Sequence, residues 1–226
     1  MNRVVLVFLV LAVPLLGIAL AWLGWLNLGT NLLSWFLIVT GLVYSLGVLI
    51  AFGIRGKEFW HNTTQNKILK EERGDRSFWA IIPGMAISFF VPPIEYRYLP
   101  QWISRHFAWQ IIGLILVLMG TPLFIWARRL LSKSYTGHLA TTEAQDLVQS
   151  GPYHIIRHPA YLGFLLMALG ICLGFSSLIG LICIPLVLLP GFVYRIQVEE
   201  RLLADHFEER YRDYAARTWR LIPYIW

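Results

Sequence analysis

Gly151 to Gly163, reading GPYHIIRHPAYLG, sets a turn, two histidines and an arginine directly before an apolar helix. Titratable groups bordering hydrocarbon are expensive, and where they persist they normally have a function. A second polar block, Arg195-x-x-x-Glu199-Glu200, follows the next hydrophobic hairpin. Two clusters distant in sequence can then meet at one membrane face, and that meeting place is the expected active site. Pro159 disfavours a helical backbone at His158 and is itself a natural first helical residue, so the next helix starts there. Its free amides and positive dipole end face whatever Arg157 and His158 hold, and an anionic group is the expected guest. Gly151 permits a left-handed turn and Pro152 fixes φ, so Gly151-Pro152-Tyr153 brings the loop back sharply towards the membrane.

Each motif has a structural alternative. His154 and His158 have the i, i+4 spacing of a helical metal pair, but the proline breaks that helix and no third ligand is near, so no metal is expected. His158 lies among Tyr153, Arg157 and Tyr161, company that favours function over a packing role. Arg195 and Glu199 share a helical face and suit an intrahelical ion pair. Glu200 points elsewhere and needs another partner, for which ligand hydroxyls or an ammonium group are suited. Tyr211, Tyr214 and Trp219 read as packing residues or interfacial anchors. Cys172 and Cys183 lie in apolar segments without a nearby histidine and read as packing residues, with neither a disulfide nor a metal cluster.

These groups must be positioned by membrane helices. The 226 residues are 57% hydrophobic and only 14% charged, too apolar for a soluble domain of this size. The expected fold is all-α: a polytopic integral-membrane helical bundle of about five to six spans with an amphipathic C-terminal helix on the cytoplasmic side. Val4–Leu26, Leu32–Ile54 and Phe107–Ala127 are each long enough to span a core of about 30 Å. Phe78–Ile94 is shorter and carries Pro83, Pro92 and Pro93, while Ala160–Tyr194 reads as two short helices hinged near Gly174-Phe175-Ser176-Ser177. This layout puts 17 of the 19 Lys and Arg residues on one side, leaving only Arg97 and Arg105 opposite. That asymmetry marks the cytoplasmic face, and the formal charge of +6 is explained by topology and anionic lipid rather than by nucleic acid, which is excluded as a partner. The run from Arg3 to Ala19-Leu20-Ala21 imitates a signal peptide, but its apolar stretch is longer than usual and it reads as a retained helix. The mixed-charge segment Gly56–Ser77 reads as a solvated connection without chemistry. Ile196–Thr218 carries apolar positions at a helical period and is expected along the cytoplasmic surface, ended by Pro223. The whole chain reads as one membrane domain, with residues 1–130 mostly hydrophobic helices and 131–226 carrying cofactor binding and catalysis.

Taken together, Gly151-Pro152-Tyr153, Arg157-His158-Pro159-x-Tyr161-x-Gly163, Glu199-Glu200, Tyr211-x-x-Tyr214 and Ile222-Pro223 resemble the isoprenylcysteine carboxyl methyltransferase family over roughly the last hundred residues. The resemblance implies an integral-membrane enzyme that uses S-adenosylmethionine, held in a cytoplasmic pocket. It further implies that Tyr135, Leu147, Val148, Gly151, Tyr153, His158, Pro159, Tyr161, Leu162 and Glu200 contact the cofactor. Arg157, Arg195 and Glu199 are the implied catalytic residues. The acceptor is lipophilic or lipid-anchored, an isoprenoid carboxylate or a lipid amine, and enters sideways from the bilayer, in a bacterial inner membrane or similar. Two competing readings are a membrane reductase related to the sterol reductases, binding a nicotinamide cofactor, and a non-enzymatic transporter or scaffold held by an Arg157, His158 and Glu200 network. The Glu-Glu pair favours methyl transfer, and the chain has no glycine-rich strand-to-helix loop of the soluble dinucleotide folds. The acceptor's identity and the oligomeric state are not legible in the residues.

Overall fold

A computed structural model describes residues 3–47, 50, 68–71, 77–131, 140–142 and 147–226. Its helices are α1 (Arg3–Leu26), α2 (Ser34–Gly47), α3 (Ser77–Tyr98), α4 (Phe107–Leu131), α5 (Pro159–Gly174), α6 (Leu178–Cys183) and α7 (Leu189–Ala216), the last two joined by a π-helical turn over Ile184–Leu188. Among the described residues, Trp79–Tyr98, Phe107–Leu131 and Leu178–Ala216 are long and apolar enough to cross a membrane, and Pro14–Leu26, Ser34–Gly47 and Pro159–Gly174 are shorter apolar helices. The expected second span continues from α2 into residues outside those described. At 39 residues, Leu178–Ala216 is about 58 Å long, nearly twice a bilayer core. Its apolar part ends at Tyr194, so the stretch from Arg195 onward has the composition of a segment outside the hydrocarbon.

The prolines shorten α3 less than expected. It runs unbroken for 22 residues through Pro83, Pro92 and Pro93. A proline in a span is tolerated where neighbours take up the carbonyl it frees. Pro92 deprives the Ser88 carbonyl of its helical donor, and the Cys172 thiol lies 3.9 Å from that oxygen. The Pro93 carbonyl accepts from the Asn27 side chain at 3.2 Å.

The hinge after α5 falls where the sequence puts it, between Gly174 and Leu178. Glu95, fully buried near the end of α3, holds it. Its carboxylate accepts from the Ser177 hydroxyl and from the backbone amides of Leu178 at 3.0 Å and Ile179 at 3.3 Å. A carboxylate suits a helix N-terminus, where amides lack intrahelical acceptors. At the same end, Arg105 stacks on the Tyr96 ring at 4.2 Å.

Helices α4 and α5 pack closest. A Cβ on Gly120 would lie 2.5 Å from the Gly163 carbonyl, and one on Gly163 would lie 2.8 Å from the Gly120 carbonyl. Only glycine at both places lets the backbones meet, and this contact sets how closely the first turns of α5 lie against α4. Two short strands, β1 (Ile68–Glu71) and β2 (Ala140–Thr142), pair antiparallel. Their pairing brings Ile68–Glu71, before α3, beside Ala140–Thr142, after α4.

The C-terminal helix departs from expectation. Helix α7 (Leu189–Ala216) passes from the apolar span into the amphipathic stretch without interruption at Arg195, and is broken later, at Glu208, where φ is 47° and ψ −118° and two helical stretches join at a kink. Its face of Phe207, Tyr211 and Tyr214 packs with Leu147, so the tail folds onto the loop that precedes α5.

Candidate active site

Pro159 occupies the first turn of α5 and His158 its N-cap, with φ −121° and ψ 56°. The non-helical backbone at His158 follows from the proline after it. Before it, Gly151 takes φ +62° and opens a tight turn over Gly151–His154. Tyr153 is buried there, its hydroxyl donating to the Ala127 carbonyl of α4 at 3.3 Å, while its own carbonyl accepts from the Tyr214 hydroxyl at 2.8 Å. Tyr153 therefore ties the turn to both α4 and α7. His154 is exposed and stands apart from His158, and among the described residues no group of His, Cys, Asp and Glu could hold a metal.

The two polar blocks meet. Arg157 donates through Nε to Glu200 Oε1 at 2.8 Å, and Arg195 donates through Nε to Glu199 Oε1 at 2.9 Å. The Tyr161 hydroxyl donates to the same Glu199 oxygen at 2.6 Å. His158, 7% exposed, lies between the carboxylates, with Nδ1 3.5 Å from Glu199 Oε2 and Nε2 3.5 Å from Glu200 Oε1. Both separations are longer than an ordinary hydrogen bond, and Nε2 makes none among the described residues. The imidazole is therefore held by charge and packing, including the Tyr161 ring at 5.7 Å.

Electrostatics follow from this crowding. Burial by itself lowers the His158 pKa, but the two carboxylates outweigh it and leave it raised above its ordinary value. Burial likewise pushes the Glu200 carboxyl up, but His158 and Arg157 pull it down to about 2. At neutral pH Glu200 is thus ionised and its charge compensated.

Glu200, expected to need a partner beyond its own helix face, has protein partners on both carboxylate oxygens. Its Oε2 accepts from Arg220 Nε at 2.9 Å, so guanidinium groups engage both carboxylate oxygens. Sequence reasoning missed Arg220 and the segment around it. Trp219 forms a parallel bridge with Ile156, built by Trp219 donating to the Ile155 carbonyl at 3.0 Å, Arg157 to that of Trp219 at 2.8 Å and His158 to that of Arg220 at 3.0 Å. Arg157 Nη1 also donates to the carbonyls of Ala215, at 2.8 Å, and Thr218. Nothing in the local pattern of Thr218–Arg220 announces a pairing with residues over sixty positions earlier. Leu147 and Val148 lie half-buried at the start of the loop, and Leu162 half-buried on the first turn of α5. Tyr135 lies outside the described residues.

Known proteins resemble this arrangement. A family model described as phospholipid methyltransferase matches residues 109–210. A protein-S-isoprenylcysteine O-methyltransferase B from Arabidopsis thaliana is 29% identical over 149 residues, 65% of this chain and 71% of that protein. The protein-S-isoprenylcysteine O-methyltransferase of Saccharomyces cerevisiae is 32% identical over 117 residues, 51% of this chain and 49% of the yeast protein. Over these stretches the chain is similar to the protein-S-isoprenylcysteine O-methyltransferases. A solved structure described as the eukaryotic intramembrane Ras methyltransferase ICMT is 22% identical, with TM-score 0.56 over 93% of this chain and 74% of that one. At that identity the likeness concerns the fold, and it takes in the N-terminal helices, where the sequence offered no family signal. The chain thus shares the helical, membrane-protein fold of that structure. The aligned part spans only about half of the yeast relative. The relatives named here are eukaryotic and lend no support to a bacterial membrane.

Proposed function

We propose that this protein is an integral-membrane methyltransferase that moves a methyl group from S-adenosylmethionine to a lipophilic acceptor. The observation that carries the reading is the meeting of Arg157 and His158, before α5, with Glu199 and Glu200, on α7, beyond the apolar part of the last span. The buried His158 Nε2, with no hydrogen-bond partner among the described residues, fits a site completed by a polar ligand, because a buried polar atom left unmatched is costly. Leu147, Val148, Gly151, Tyr153, Pro159, Tyr161 and Leu162 would line the donor's side with His158 and Glu200, and Tyr135 belongs to the same set. S-adenosylmethionine supplies an electrophilic methyl on a sulfonium, open to in-line displacement without a covalent enzyme intermediate.

The residues need only orient, neutralise and exclude water. Arg195, 3% exposed and paired with Glu199, would hold an acceptor carboxylate, which is already nucleophilic and needs no base. Were the acceptor an amine, Glu199 would receive its proton. The names of the relatives favour an isoprenyl-cysteine carboxylate, and the name of the family model favours a phospholipid amine. The acceptor reaches the site sideways from the bilayer, and the site faces the cytoplasm, the side on which the basic loops gather.

Equilibrium binding of S-adenosylmethionine and NADPH to the detergent-purified protein tests the reading. Expected is binding of S-adenosylmethionine alone, weakened by His158→Ala in a variant that stays folded. Binding of NADPH alone would return the reductase, and binding of neither the scaffold. Alkali treatment of lipid extracts labelled with radioactive methyl then separates acceptors: a methyl ester releases volatile methanol, an N-methyl group does not.

A further inference from the structure

Tyr211 is 4% exposed, and its hydroxyl has no hydrogen-bond partner among the described residues. Its neighbour Tyr214, one turn on with the rings 6.1 Å apart, spends its own hydroxyl on the Tyr153 carbonyl. The pair is therefore unlike in chemistry: one hydroxyl builds the fold, while the other is desolvated without return. A phenylalanine would fill the position of Tyr211 at lower cost, unless something absent from the protein chain uses the oxygen.

The surroundings say what that is. Tyr211 stands in the fields of Glu200, Arg157 and Arg220 and packs beside Leu147, at the start of the loop that leads to His158. Two guanidinium groups share one carboxylate there, so these three side chains together carry one positive charge in excess. The more mobile partner is Arg220, whose side chain is 41% exposed against 9% for Arg157. A phenolic hydroxyl beside surplus guanidinium charge suits a carboxylate, accepting one charge-assisted hydrogen bond and one ion pair.

We infer that Tyr211 is a ligand-binding residue whose buried hydroxyl donates to the carboxylate at the amino-acid end of S-adenosylmethionine, with Arg220 as the guanidinium beside it. This rests on the methyl-donor reading and deepens it, because it assigns one end of the donor to the bend of α7. Tyr211, which reads in the sequence as packing, then serves recognition.

The test compares Tyr211→Phe with Tyr214→Phe in the full-length, detergent-purified protein, reading ligand-free thermal unfolding and equilibrium binding of two probes. S-adenosylhomocysteine keeps the amino-acid end, and methylthioadenosine lacks it. Tyr211→Phe is expected to leave the unfolding temperature unchanged or raised and to weaken S-adenosylhomocysteine about tenfold, as for one hydrogen bond to a charged group, while methylthioadenosine is unaffected. Tyr214→Phe, which breaks a bond already made, is expected to lower the unfolding temperature. Unchanged S-adenosylhomocysteine affinity in Tyr211→Phe overturns the inference, as does a lower unfolding temperature with equal loss for both probes. Wild-type protein that binds S-adenosylhomocysteine keeps the methyl-donor reading intact in either case, and wild type that binds neither probe overturns both.

Discussion

At the scale of residues, the two arginines on Glu200 differ in what they cost to remove. Arg157 is nearly buried and also serves the carbonyls of Ala215 and Thr218. Arg157→Ala would leave a buried carboxylate and two carbonyls poorly matched, and a destabilisation of about 3–5 kcal/mol is expected. Arg220 is partly exposed, so solvent screens its pair and Arg220→Ala should cost under about 1 kcal/mol. Thermal unfolding of both variants in one detergent checks the ranking, and equal losses would refute it. His158 gives a pH signature. Its folded pKa is raised, so its contribution to stability is complete below about pH 6.5, the unfolded value, and is lost as pH rises through the folded value. Wild-type protein should therefore lose unfolding temperature between about pH 6 and pH 9 more steeply than His158→Gln. Glu200 acts in the opposite sense, its contribution being present above about pH 4.5 and lost as pH falls towards the folded value near 2.

At the scale of elements, α5 matters because its first turn carries the site and its glycines set its place. With Gly120 and Gly163 in backbone contact across α4 and α5, Gly163→Val would force the helices apart and shift His158 relative to Glu199. Overpacking of this kind costs about 1–3 kcal/mol. Expected is a lower unfolding temperature together with weaker S-adenosylhomocysteine binding, whereas an equal-sized change on the exposed position Leu186 should alter neither. The beginning of α5 was legible because Pro159 acts through local sterics. The extent of α3 was not, since whether a proline breaks a span depends on what stands beside the freed carbonyl, here Cys172. That α7 carries on past Arg195 as far as its kink at Glu208 was illegible for a related reason: the change from apolar to charged at Arg195 marks where the apolar stretch ends, not where the helix ends.

At the scale of the whole molecule, the C-terminal segment closes the site as a staple. Trp219 and Arg220 bond to Ile155, Arg157 and His158 through their backbones, and the Trp226 carbonyl accepts from the amides of Leu221 and Ile222. Ending the chain after Arg217 should reduce S-adenosylhomocysteine binding more than tenfold while the helical circular dichroism signal changes little, since α1 to α7 are kept. Retained affinity would show the staple to be dispensable. Orientation is testable with single cysteines and a membrane-impermeant thiol reagent on sealed vesicles. Lys70→Cys, Thr141→Cys and Arg217→Cys should label from one side and Ser104→Cys from the other, because β1 pairs with β2 and Ser104 lies between α3 and α4.

By itself the sequence determined the apolar surroundings, the helical class, the distribution of charge and the choice of a candidate motif, because each follows from composition or from contacts between residues a few positions apart. Only the tertiary structure decided how the motif is completed. Glu200 faces Arg157 across 43 residues and Arg220 across 20, and Trp219 reaches Ile156 through a bridge with no local signature. Such pairings depend on how α5 and α7 pack at the end of the apolar layer, and periodicity along a single chain carries no information about that.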